Sequence, residues 1–318
     1  MEVKLLQKTE EERWNNFVDK SAQGCVFNKT WYLQAIGLTY KIYVVEKDKE
    51  ICAGMILGNR DGKWTFGPFQ KYTGVLFAPF DGAPYTVETN RRSALRLLLT
   101  QCSELSDYDY FFHPDFGNWL LFYHAGFKET TYYTYRIKVE RKTPDELLAL
   151  YAPRLRSKIR KTFTDKEIIV VEDLDLPLFY DIINGTFVRK KEKVAFSPGL
   201  FKAICAALNK HKALRFYRSV NKKGVTTSVL GVAYDTNAAY LLFSGYDEEQ
   251  KAAGHNERLI HQAICDAARQ VKYFDFEGSM IPGVESYYRQ FGGDFAPYFR
   301  IYKPSIVASL KEAVRKLR

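Results

Sequence analysis

The sequence predicts an α+β protein of two tandem domains, each a mixed, largely antiparallel sheet flanked by helices. Three observations point there. A chain of 318 residues is long for one hydrophobic core and suits two domains of ordinary size. In each half the hydrophobic periodicities give helices, then an antiparallel meander, then a helix, a strand, a helix and a strand. The third is an internal echo. Lys272–Lys303, KYFDFEGSMIPGVESYYRQFGGDFAPYFRIYK, reads as a buried strand, a tight Gly/Pro turn, a short helix, a Gly-Gly break and a second strand. Asp109–Lys138, DYFFHPDFGNWLLFYHAGFKETTYYTYRIK, follows the same plan through Ala125-Gly126 to a strand ending Tyr-Arg-Ile.

In the first half, Val3–Lys8 reads as a strand, and Thr9-Glu10-Glu11-Glu12 starts a helix carrying Trp14, Phe17 and Val18 at helical spacing. A second helix covers Lys29–Leu38. Strands follow at Lys41–Glu46, Ile51–Leu57, Trp64–Gly67 and Val75–Ala78; the turns Lys47-Asp48-Lys49 and Asn59-Arg60-Asp61-Gly62 suit antiparallel hairpins. Glu88–Cys102 places Leu95, Leu98 and Leu99 on one helical face. The charged stretch Arg141–Pro144 marks the boundary, giving domains 1–140 and 141–318. Beyond it Glu146–Leu150 and Arg154–Phe163 read as helices, the second strongly basic (RLRSKIRK). Ile168–Val171 is a strand, Leu176–Val188 and Pro198–Leu208 are helices, and Leu214–Val220, Val225–Ala233 and Ala239–Gly245 are consecutive antiparallel strands. Gly254–Ala268 is a helix, and the Lys272–Lys303 segment completes the second domain.

Composition narrows the class of function. The formal net charge of +10 makes the surface attractive to phosphates, nucleic acid or anionic lipid. Five cysteines without C-x-x-C spacing argue against a disulfide framework or a zinc site and fit a reducing compartment. MEVKLLQKTEEERW has no apolar signal core and no stretch approaches membrane-spanning length, so a cytoplasmic protein is expected, with its basic face free to touch an inner membrane surface. His255 and His261 are not spaced as in H-E-x-x-H, and the chain lacks a G-x-S-x-G, a Walker loop and a Rossmann glycine fingerprint. No metal site is expected.

Three places carry candidate chemistry. In Tyr240–Arg258, YLLFSGYDEEQKAAGHNERL, a strand ends at Ser244-Gly245-Tyr246 and Gly254-His255-Asn256 opens a helix leading to Arg258. Free N–H groups at that helix start suit a phosphate, and Gly245 lets the backbone splay and present an N–H to a substrate carbonyl. An ordinary turn with Asn256 as N-cap is the plainer alternative. In the second place, Asp275 and Glu277 alternate along a strand, pointing to one face opposite Phe274 and Phe276. They suit holding an ammonium group or acting as base; alternatively one binds a backbone N–H in the turn and the other pairs with an arginine. On the helix after that turn, a hydroxyl of Tyr287 or Tyr288 can protonate a leaving group, with Tyr288 the more open to function and Tyr287 assigned to core packing. The third is a basic cluster: Arg156, Arg160 and Lys161 recur at helical spacing, with Arg189, Lys190, Lys191 and Lys193 nearby in sequence. His113 stands where the repeat places Asp275.

FDFEGSMIPGVESYYRQFGG resembles the C-terminal signature of the Fem-type (FemABX) peptidyltransferases and their two-domain GNAT relatives. There a strand ending Asp-Phe-x-Gly is followed by a turn and a Phe-Lys-x-x-Phe-Gly helix. RSKIRKTFTDKEIIVVED resembles the entry to the family's second domain, and NGTFVRKKE with FSPGLFKAI the stretch after it. The likeness covers most of Arg154–Lys303 and extends faintly to WNNFVDKSAQGCVFNKTWY. It implies two tandem GNAT domains and transfer of an acyl or aminoacyl group to an amine. The donor would be aminoacyl-tRNA or acyl-CoA, as co-substrate and not as a resident cofactor, and a peptidoglycan precursor is among the acceptors implied. Where the family has Phe-Lys this chain has Tyr287-Tyr288, and Arg289 projects about 100° further round the helix, which leaves the donor open. Catalysis is thus expected from Tyr288, Asp275 and Glu277, donor binding from Ser244, Gly245, Tyr246, Gly254, Asn256 and Arg258, and phosphate or acceptor binding from Arg156, Arg160, Lys161, Arg189 and Arg289. The alternative is a catalytically degenerate GNAT pair that binds nucleic acid or an envelope precursor.

Overall fold

The computed structural model describes residues 1–102, 105, 107–164, 175–189, 196–221, 223–249, 253–278 and 280–303. The chain divides into two compact units, Met1–Tyr132 with Pro297–Arg318, and Tyr133–Ala296. It changes unit twice, each time inside a strand: β7 (Lys128–Lys138) and β12 (Asp294–Tyr302). The single boundary read from composition at 140/141 falls elsewhere, because Arg141–Pro144 is the turn into a helix of the second unit, with Thr143 capping it and Glu146 answering in a capping box.

The first unit has β1 (Glu2–Leu5), β2 (Thr39–Lys47) and β3 (Glu50–Arg60) side by side, with β4 (Lys63–Trp64) and β5 (Val75–Phe77) both on β3, all antiparallel. The two hairpin turns are Asp48-Lys49 and Asp61-Gly62, and all four residues have positive φ, which matches the twist of two-residue hairpins. Helix α1 (Glu11–Lys20) buries Trp14, Phe17 and Val18, and α2 (Thr30–Ala35) buries Tyr32 and Leu33. Helix α3 (Pro84–Leu99) buries Leu95, Leu98 and Leu99 against Tyr108, Tyr110, Phe112 and Phe122. Strand β6 (Asp109–Phe111) leads to α4 (Leu120–His124) and is paired by the end of β12, Arg300 opposite Phe111 and Ile301 opposite Tyr110. Arg300 grips both oxygens of Asp109, at 2.8 and 2.7 Å.

In the second unit β8 (Leu214–Val220), β9 (Thr226–Tyr234) and β10 (Ala238–Tyr246) form the expected antiparallel meander. Strand β11 (Tyr273–Asp275) runs parallel to β10, β7 lies antiparallel to β11, and β12 follows β7. One face is covered by α5 (Pro144–Leu150), α6 (Pro153–Thr162) and α9 (His255–Ala267) around a core including Leu155, Ile159, Ile260, Ile264, Leu241 and Phe274. The other is covered by α7 (Leu176–Arg189) and α8 (Pro198–Lys210), whose Phe201 meets Phe243 at 4.9 Å. The short α10 (Pro282–Arg289) joins β11 to β12. The strand expected at Ile168–Val171 lies outside the described residues.

The internal echo extends to backbone conformation. The turns after β6 and β11 carry Gly117 and Gly278 at φ 70° and 69°, and the helices α4 and α10 end before Gly126 and Gly292 at 82° and 70°. Among the described residues no helix is long and apolar enough to cross a membrane.

Candidate active site

The second unit has a place where two parallel neighbours part. Strand β11 accompanies β10 only from Ala238 to Tyr240 and ends at Asp275, whereas β10 runs on to Tyr246 beside β9. Ligands of open α/β sheets gather where carboxyl ends of strands diverge in this way. The β10–β9 register slips between Leu241 and Phe243, so Leu242 is an extra residue with no opposite number. A one-residue slip exchanges the faces. Before it, Leu241 lies opposite Val232 in the α9-side core; after it, Phe243 turns to α8, and Ser244, opposite Leu230, returns to the α9 side with Tyr246.

The splay expected at Gly245 therefore sits at Leu242, and Gly245 is needed for another reason. It stays in register with Val229, and a Cβ there would lie 2.8 Å from Ile183 Cα and 3.0 Å from the Ile182 carbonyl, because α7 crosses directly over it. Gly245→Ala is expected to destabilise by about 1–3 kcal/mol through this overpacking; urea unfolding checks it, and an unchanged midpoint would refute the close approach. Thr186 of α7 holds the last residue of the strand, accepting the Tyr246 N–H at 3.2 Å, and Arg189 Nη2 donates to the Tyr246 carbonyl at 2.5 Å with its guanidinium 4.8 Å from that ring. Arg189 is thus a strut between α7 and β10, also 3.9 Å from Glu248.

The start of α9 faces this end of β10. Its N-cap is Gly254 at φ 92°, packed on α6 through Thr162 and Lys158, and not Asn256. Asn256 is instead the second helical residue, and its Nδ2 donates to the Tyr287 hydroxyl at 2.8 Å. Glu257 is nearly buried and pairs with Lys158 Nζ at 2.7 Å. His255 is buried, its Nδ1 3.2 Å from Thr227 Oγ1, which lies 2.8 Å from Ser219 Oγ. Arg258, expected to bind donor, stacks on Phe163 at 3.9 Å.

Further along α9, burial and the Arg258 charge push the His261 pKa down to about 4, and its Nδ1 lies 3.1 Å from the Tyr151 hydroxyl. The imidazole stays neutral in the folded chain while the unfolded chain protonates it near 6.5. Its contribution to stability is therefore intact above about pH 6.5 and is lost as pH falls towards 4, an effect of about 3 kcal/mol. His261→Gln is expected to flatten the pH dependence of urea unfolding over that window; a slope identical to wild type would remove His261 as its source.

The two carboxylates do not share a strand face. The strand ends at Asp275, and Glu277 adopts φ 58°, with Gly278 at 69°. Asp275, fully buried, accepts from Thr134 Oγ1 and from the Glu277 N–H, both at 2.7 Å, and lies 3.6 Å from Arg136 Nε. One residue thus makes both of the structural bonds that sequence reasoning had divided between two. Arg136 in turn lies 4.2 Å above Tyr273. Phe274 and Phe276 occupy the opposite side, as expected. The Tyr288 ring lies 4.8 Å from Phe276, and burial with the nearby Glu277 charge raises its pKa. Tyr287, assigned from sequence to packing, is the one whose hydroxyl reaches α9; burial first and Glu257 second hold its pKa well above the ordinary value.

Helix α6 buries Leu155, Ile159 and Thr162 and turns Arg156, Arg160 and Lys161 outward; of its cations only Lys158 forms an ion pair with a described residue. Arg289 is exposed and pairs with Glu285 at 3.3 Å. Lys190, Lys191 and Lys193 lie outside the described residues. Sequence reasoning missed Thr186, Lys158 and Glu257, whose partners are distant in sequence and leave no local pattern. Among the described residues no group of three or more His, Cys, Asp or Glu is placed to hold a metal ion.

A family model described as an acetyltransferase (GNAT) domain matches residues 149–289, somewhat less than half of the chain. No curated protein matches the sequence closely enough to count as a relative. Solved structures similar to the chain include a crystal structure of FemX, with a TM-score of 0.71 at 14% identity, covering 94% of this chain and 97% of that one. The structure of L-PGS from Bacillus licheniformis matches with a TM-score of 0.57 at 10% identity over 96% of each chain. A tandem GNAT protein from the clavulanic acid biosynthesis pathway matches at 0.52 and 10% identity, over 95% of this chain and 97% of that one. At these identities the likeness establishes the fold: α+β, and tandem GNAT-like, as the order of elements had indicated.

Proposed function

We propose, from the match of residues 149–289 to an acetyltransferase (GNAT) domain model and the tandem GNAT-like fold, that the chain is an N-acyltransferase of the Fem/GNAT type. It moves an acyl or aminoacyl group from aminoacyl-tRNA or acyl-CoA to an amine, with a cell-envelope precursor among the candidate acceptors. The observation that carries the reading is the parting of β10 and β11 beside the start of α9, with a tyrosine hydroxyl of α10 held there by Asn256. The amine attacks the donor carbonyl in that gap, and the irregular backbone at Leu242 is the natural source of an N–H for the developing oxyanion. Asp275 is committed to the turn and to Arg136, so Glu277 is the carboxylate we assign to the amine's proton. An α10 tyrosine protonates the leaving group. Outward-facing Arg156, Arg160 and Lys161 supply a cationic strip that suits a phosphate-rich donor.

The test is a thermal-shift and mass-spectrometric panel of acetyl-CoA, CoA, charged and uncharged tRNA and a muropeptide precursor. Stabilisation by one acyl donor, and a matching mass gain on an amine, is expected. If no donor stabilises the protein and tRNA binds regardless of charging, the chain is a binding pair without catalysis.

A further inference from the structure

Resting on the acyl-transfer reading, we infer that Tyr287, and not its neighbour Tyr288, delivers the proton to the leaving group, with Asn256 as its positioning residue. Consecutive residues of a helix point about 100° apart, so the two rings of α10 serve different surroundings. Tyr288 lies against Phe276 at 4.8 Å, beneath the turn that carries Glu277. Tyr287 leans the other way. Its ring is edge-on to Phe291 at 5.7 Å, its hydroxyl receives the Asn256 Nδ2 bond at 2.8 Å, and it feels Glu257 of α9 and Tyr246 at the end of β10. It therefore stands between the last residue of the diverging strand and the first turn of the helix beyond it.

The direction of the Asn256 bond decides what that hydroxyl can do. A phenol oxygen has one proton and spare lone pairs. By accepting from an amide N–H it is fixed in place while its own proton remains available to another acceptor. The Asn256 Oδ1 is buried and accepts nothing from the described residues, so the amide does not take that proton back. Burial and the Glu257 carboxylate, itself anchored by Lys158 at 2.7 Å, keep the hydroxyl protonated until a strong base forms beside it.

In the step, the amine lone pair forms the C–N bond at the acyl carbon. The adduct collapses, the bond from that carbon to the donor's sulfur or ribose oxygen breaks, and the leaving atom departs with the electron pair. It takes the Tyr287 proton, while Glu277 takes the proton shed from the new ammonium and water relays that proton on to refill the phenolate. A ribose alkoxide is far more basic than a thiolate, whose conjugate thiol ordinarily titrates near 8.5, so the requirement for Tyr287 should be greater with an ester donor than with a thioester.

Asn256→Asp provides the discriminating test. Aspartate is nearly the same shape and keeps a bond to the hydroxyl, but as an acceptor it claims the very proton that catalysis needs. With whichever donor supports wild-type turnover, Tyr287→Phe and Asn256→Asp are each expected to lower kcat by about 100-fold or more, with donor KM within about threefold and thermal midpoints near wild type. The loss in Tyr287→Phe should exceed that in Tyr288→Phe by at least tenfold, and should shrink with an activated nitrophenyl ester whose leaving group needs no proton. Wild-type activity in Asn256→Asp, or a larger loss in Tyr288→Phe, overturns the assignment. A wild-type chain that transfers from no donor removes the acyl-transfer reading, and this assignment with it.

Discussion

Asp275→Ala is expected to lower the stability of the second unit by about 3–5 kcal/mol, the range for removing one partner of a buried ion pair. Arg136 is itself nearly buried and would keep its charge without the carboxylate at 3.6 Å. The same change removes the acceptor for Thr134 and for the Glu277 N–H, the bond that holds two consecutive left-handed residues in the turn. Asp275→Asn keeps the shape and one acceptor, so a smaller loss of about 1–3 kcal/mol is expected. Urea unfolding followed by circular dichroism measures both. Equal midpoints for wild type and Asp275→Ala would show that the carboxylate has no structural share, and would return it to the list of candidate bases.

Ending the chain at Ala296 is expected to leave the first unit unfolded. The deletion removes Tyr298 and Ile301, both buried in that unit's core, and the two bonds from Arg300 to Asp109. It also strips β6 of its ladder partner. Losing two large core side chains alone costs roughly 2–5 kcal/mol each, against a domain stability of about 5–15 kcal/mol. Limited proteolysis with mass spectrometry should then cut freely before residue 132 while sparing 133–296. A truncated chain as resistant as the full-length one would overturn the account of β12.

What was legible in the sequence was whatever is local and periodic. Leu95, Leu98 and Leu99 announced a helix, the Asp48-Lys49 and Asp61-Gly62 turns announced hairpins, and the aromatic strands with their glycine breaks announced a repeated unit. What escaped was set by tertiary contact. A bulge at Leu242 leaves no mark in a continuous apolar run, yet it reverses the faces of Phe243, Ser244 and Gly245. Gly245 invited a reading as a flexible splay because the sequence does not show α7 lying on it. Asn256 read as a cap because its real partner, Tyr287, arrives from another helix. At Asp275 the structural role was foreseen in kind, and only the sharing between Asp275 and Glu277 was misjudged, since strand alternation fails once Glu277 turns left-handed.

The exchange of strand ends has a consequence in time. During synthesis, everything in the first unit up to Tyr132 emerges early, but the partner of β6 lies at Arg300–Tyr302, beyond the whole of the second unit. At about 5–20 residues per second, that partner follows on the order of 10–30 s later. Through this interval β6 lacks the neighbour that satisfies its backbone, an open edge of the kind that invites pairing with other chains. The nested unit, by contrast, is one continuous segment, Tyr133–Ala296. Of the two units, the one whose synthesis begins first is therefore the one completed last.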